Sequence, residues 1–129
     1  MNSQSAPLAG QPGAVGLDEQ ALDRLRELDP DGRKGAVARV LSAFESSLAR
    51  MLVQLRTQLG AGGTEGVAEL AHTLKSSAAS VGALELAKVC AELEQRVRGG
   101  DVSELHLDIA RLIAAGEAAQ VAVGAILRP

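Results

Sequence analysis

Between Val37 and Leu59, nine apolar residues (Val37, Val40, Leu41, Phe44, Leu48, Met51, Leu52, Leu55 and Leu59) return at intervals of one, three and four. Only a helix brings such positions onto one side, because an α-helix turns once in about 3.6 residues. Some six turns of one-sided apolar surface must be covered by partners of the same kind. The rest of the chain offers them. Asp18 is a good N-cap for a first short helix, with Leu17 before it as a staple and Leu22, Leu25 and Leu28 at helical spacing. "DPDG" at 29–32 makes a turn, and "GAGG" at 60–63 ends the second helix.

The pattern predicts a third helix from Thr64, as cap, to about Val81, where Gly82 gives a left-handed stop. A fourth carries Leu86, Val89, Cys90, Leu93 and Val97 and closes at "RGGD", residues 98–101. Asp101 and Glu104 have capping-box spacing ahead of a fifth helix with Val102, Leu105, Ile109, Leu112 and Ile113. The expectation is an all-α fold: an antiparallel up-down four-helix bundle with an additional short N-terminal helix across one end. Residues 1–16 read as a flexible leader of Gly, Pro and small residues, 17–123 as the bundle, and 124–129 as a frayed tail.

Composition narrows the function. Hydrophobic residues make up 47% of the 129, yet Phe44 is the only aromatic. Leu and Ala favour helices, and without aromatics there is no platform on which bases could stack. Net charge is −3 and no basic cluster stands out, so no nucleic-acid partner is expected. The single Cys90 excludes an internal disulfide and a two-cysteine metal motif. No apolar run approaches the roughly 18–20 residues that span a bilayer, and the leader lacks the charged start and apolar centre of a signal peptide. A cytoplasmic protein without a membrane partner is the simplest expectation.

Chemistry concentrates at "AHTLKSSAASVG", residues 71–82. On a wheel, Val67, Leu70, Leu74, Ser77, Ala78 and Val81 form the buried stripe, and His72 falls roughly 170° from its centre. His72 therefore faces solvent, and Ala68, Ser76 and Ala79, within one or two turns of it on the same face, are all small. Such a low patch around an imidazole suits a flat partner docking over it. Lys75, three residues on, is the nearest cation. Metal binding is poorly supported: the only other histidine is His106, on a different helix, and Lys75 repels cations. General-base catalysis needs a pocket and an orienting carboxylate, and neither is evident from the sequence. A nucleophile fits better. Imidazole attacks phosphorus near neutral pH, and Lys75 then pairs with the phosphoryl oxygens. No nucleotide-binding glycine loop is present, so the phosphoryl group must come from another protein.

These residues resemble the histidine-containing phosphotransfer (HPt) domains of multistep phosphorelays. The likeness rests on "AHTLKSSAASVGA", 71–83, and "LELAKVCAELE", 84–94. It implies His72 as phosphoacceptor, through Nε2, and Lys75 as support for the phosphoryl group. Ser76 stands where the family most often has Gly, and Gly82 matches the family Gly, read as a helix cap and nothing more. The resemblance implies that receiver domains and a hybrid sensor histidine kinase are the partners, with Mg²⁺ in the receiver's own acidic site and no cofactor here. A monomeric carrier with a covalent phosphohistidine follows, not an autonomous kinase. The other reading is a non-catalytic helical adaptor that binds a receiver or kinase, to which Ser76 lends support.

Overall fold

The structure, a computed structural model, describes residues 16–61, 64 and 66–129. The leader up to Val15 lies outside them, as do Gly62 and Gly63 of the 60–63 turn. Five helices and no strands occur among the described residues: α1 (Glu19–Glu27), α2 (Ala36–Ala61), α3 (Val67–Ser80), α4 (Leu84–Arg98) and α5 (Leu105–Leu127). Helix α2 packs against α3 and α5, α3 against α4, α4 against α5, and α1 against α2.

The apolar stripe of α2 becomes the spine of the core. Leu41, Leu48, Leu52 and Leu55 are fully buried, together with Leu74 of α3, Leu86 and Leu93 of α4, and Ile109 and Leu112 of α5. Each contributes about 1.5–3 kcal/mol relative to an exposed side chain. Helices α2 and α5 approach closely at Gly116, where a Cβ would lie 2.7 Å from Cδ2 of Leu52. The tail expected to fray from residue 124 is instead helical to Leu127. Val123 is fully buried, and Arg128 pairs with Glu45 of α2. Packing against α2 thus carries the helix past the glycines that weaken its intrinsic propensity. By length and composition alone, α5 is apolar enough to cross a membrane, contrary to the sequence expectation. Leu105, Ile109, Leu112, Ile113, Ala119 and Val123 of this helix belong to the core.

The caps follow the sequence only in part. Asp18 caps α1, accepting from the Ala21 N–H at 3.1 Å, and Leu17 and Leu22 are buried. Leu28 is 66% exposed, because it lies past the end of that helix. Asp29, in the "DPDG" turn, is buried and accepts from the Ala36 N–H at 3.1 Å, at the start of α2. That bond holds its carboxyl below the usual range. Thr64 is not the cap of α3, which starts at Val67 after Gly66 with φ +80°. The expected Asp101–Glu104 box does not form. Asp101 accepts from the N–H (3.3 Å) and the hydroxyl (2.8 Å) of Ser103, donors nearer along the chain, and α5 starts at Leu105.

Gly82 does more than stop a helix. Its φ is +83°, and its carbonyl accepts from the Asp18 N–H at 2.9 Å. A Cβ there would stand 2.8 Å from the Asp18 nitrogen and 3.0 Å from Cβ of Ala21. It is the seat on which α1 closes the end of α3. The expectation that capping was its whole role is thereby corrected.

Candidate functional site

Helix α3 buries Val67, Ala68, Ala71, Leu74 and Ala78. Leu70 and Ser77, expected within the stripe, are only half-buried. The stripe has rotated toward Ala68 and Ala71, so His72 lies roughly 120° from its middle rather than 170°. That difference decides the site. The His72 side chain is still open to solvent, at 58% exposure, but it stands at the border with α4 and not on the far face. Ala68 is 7% exposed and offers a partner almost nothing, which removes it from the expected docking face. Ser76 and Ala79 are exposed.

No orienting carboxylate is evident from the sequence around His72, and α4 supplies one. Leu86, Val89, Cys90 and Leu93 face the core, so Glu94, the next residue, falls at the edge that meets α3. Its side chain is only 12% exposed and serves three donors. Nζ of Lys75 donates to Oε1 at 2.8 Å. Nδ1 of His72 and Nε of Arg98 both reach Oε2, at 2.9 and 3.0 Å. Lys75 foremost, then Arg98 and His72, hold the Glu94 carboxyl down to about 2 against the opposing effect of its burial. It is therefore ionised throughout the neutral range and can only accept hydrogen bonds. The proton in the 2.9 Å contact must then sit on Nδ1. A neutral ring so held carries its lone pair on Nε2, the nitrogen opposite.

Arg98 likewise has no sequence pattern that links it to His72. It lies in the last turn of α4, where a cation also suits the helix dipole. One signal could have found the carboxylate. His72 and Glu94 lie eleven residues to either side of Ala83, so a tight α3–α4 hairpin folded there sets them opposite one another.

Other chemistry recedes. Cys90 is buried, and that burial pushes its thiol up to about 12. His106 lies on α5 and lines a cleft with Gln58, Leu59, Val102 and Ile109. Among the described residues, no group of three His, Cys, Asp or Glu side chains is arranged to hold a metal ion.

Comparison with known proteins bears on the fold and the family. The solved structure of histidine-containing phosphotransfer protein B (HptB) from Pseudomonas aeruginosa PAO1 superposes with a TM-score of 0.75. It is 24% identical, and the match covers 89% of this chain and 96% of that one. The likeness is one of fold. Among curated proteins, none matches the chain. The Hpt domain family model matches residues 39–122, more than half of the chain, from early in α2 to late in α5 and including both His72 and Glu94. The chain therefore belongs to the Hpt domain family.

Proposed function

We propose that this protein relays a phosphoryl group between aspartates of receiver domains through a phosphohistidine at His72. The observation that carries the reading is the bond from Nδ1 of His72 to the ionised Glu94, which leaves Nε2 as the free nucleophile on an exposed ring. Nε2 attacks the phosphorus of a receiver's aspartyl phosphate in line. The bond from phosphorus to the aspartate oxygen breaks, and its electron pair returns to that carboxylate. The ring, now phosphorylated on Nε2 and still protonated on Nδ1, carries positive charge that Glu94 balances. Lys75 turns from Oε1 toward the phosphoryl oxygens as a point charge. A second receiver aspartate then takes the group by the reverse displacement.

The four long helices are read as an antiparallel up-down bundle. Support comes from Glu45–Arg128 and Arg56–Glu117, which pair the first half of α2 with the end of α5 and a later turn of α2 with an earlier one of α5. Arg96–Asp108 and Glu92–Arg111 relate α4 and α5 in the same antiparallel sense. Such a rigid frame lets an incoming receiver complete the site, with Mg²⁺ held in the receiver's acidic pocket. The docking face is read as Ser76 and Ala79 beside His72. A hybrid sensor histidine kinase as the source, a monomeric carrier and a cytoplasmic setting complete the reading.

The test is incubation with a phosphorylated receiver. The expected result is acid-labile phosphate on the parent and none on His72→Gln. Equal uptake by that variant overturns the assignment, and receiver binding without transfer by the parent favours the adaptor.

A further inference from the structure

Two donors share one oxygen of Glu94. His72 reaches Oε2 through Nδ1 and Arg98 reaches the same atom through Nε, while Lys75 has Oε1. The consequence concerns how strongly the carboxylate draws the ring proton. A lone carboxylate oxygen facing Nδ1–H pulls the proton toward itself and stabilises positive charge on the ring. An oxygen that also accepts from a guanidinium has part of its charge committed elsewhere, and its pull on Nδ1–H is weaker.

That pull matters most once phosphorus is attached. Loss of the group to water breaks the bond between phosphorus and Nε2. The electron pair goes to Nε2, the water oxygen bonds to phosphorus and sheds a proton, and the products are inorganic phosphate and imidazole. The leaving nitrogen departs more readily as the ring becomes more cationic, because it then leaves as neutral imidazole. We propose that Arg98 is a positioning residue for phosphoryl chemistry at His72: by donating to the Glu94 oxygen that accepts Nδ1–H, it limits ring charge and lengthens the life of the phosphohistidine. This rests on the reading of His72 as phosphoacceptor. Besides Glu94, the charged groups of the cluster are Lys75 on α3 and Arg98 on α4, both bonded to that same carboxylate.

The side chain of Arg98 is half exposed, at 51%, so its replacement leaves the core intact. The experiment phosphorylates the full chain from a phosphorylated receiver, removes the receiver and follows loss of phosphate. The parent, Arg98→Gln, Arg98→Lys, Glu94→Gln and the double variant are compared. Arg98→Gln is expected to shorten the half-life by about three- to tenfold, equivalent to half a unit to one unit of proton affinity at the ring. Arg98→Lys retains part of the parent lifetime, since an ammonium donates but lacks the guanidinium's fixed geometry. In the Glu94→Gln background, the Arg98 substitution adds nothing, because the carboxylate through which it acts is gone. Two-bond ¹H–¹⁵N spectra of the unphosphorylated ring show the doubly protonated form persisting to higher pH in Arg98→Gln than in the parent.

An unchanged half-life in Arg98→Gln overturns the proposal. So does an effect of equal size in both backgrounds, which would make Arg98 a direct phosphoryl contact. A parent that takes up no phosphate on His72 fails the functional reading itself, a different result from a phosphorylated parent whose half-life Arg98→Gln shares.

Discussion

His72 and Glu94 lie 22 residues apart on different helices, yet Nδ1 of one meets Oε2 of the other at 2.9 Å. The bond makes α4 part of a site whose proposed phosphoacceptor is on α3. It also has a pH signature. The Glu94 carboxyl is held down to about 2, with Lys75 as the foremost cause. A carboxyl with a lower pKa folded than unfolded stabilises the fold above its unfolded value, and that contribution fades as pH falls through the folded one. Parent stability should therefore drop more steeply than that of Glu94→Gln between the ordinary glutamate range and about pH 2. Acid unfolding followed by circular dichroism measures it, and coincident slopes would remove Glu94 from the ledger.

Lys75→Ala should slow phosphoryl uptake by about ten- to a hundredfold, the worth of one charge-assisted hydrogen bond in the transition state. Lys75 is half-buried at the rim and outside the core, so stability should fall only by the share of the Glu94 pairing that this side chain carries. Rapid-quench transfer kinetics test this, and a parent-like rate would show that the ammonium serves only Glu94.

Gly82→Ala should cost about 1–3 kcal/mol through backbone strain and overpacking. The added Cβ would press on the Asp18 nitrogen at 2.8 Å, in a residue with φ +83°. Helix α1 should loosen first, visible as faster amide exchange at Asp18 and Leu22, while His72 chemistry persists. Unaltered exchange there would contradict Gly82 as the seat of α1.

Two helical glycines should respond oppositely to alanine. At Gly60 a Cβ meets nothing within 4 Å, so the change should stabilise by about 0.5–1 kcal/mol from helix propensity. At Gly116 the Cβ would come 2.7 Å from Cδ2 of the fully buried Leu52. Overpacking there costs about 1–3 kcal/mol and cancels or reverses the gain. Urea denaturation of both variants gives the comparison.

Cys90, with its thiol pushed up to about 12 by burial, should resist maleimide in the native protein near neutral pH. It should react fully in denaturant. Rapid native labelling would mean that the α3–α4 core opens.

Much of this fold is written in local pattern. The stripe from Val37 to Leu59 emerges as α2, Asp18 caps α1, and His72 is exposed beside Lys75, because periodicity and capping depend on residues a turn or two apart. The failures have one character. Asp101 turned to Ser103 rather than to a capping box, Ala68 sank into the stripe, and α5 outran its glycines once α2 lay against it. Each depended on what stood across from the residue, and a helical wheel holds no information about that. The sequence alone determined the candidate nucleophile, His72, and its small neighbours. Tertiary structure decided how the His72 ring is held: only the pairing of α3 with α4 sets a buried carboxylate against Nδ1 and brings Arg98 to the same oxygen.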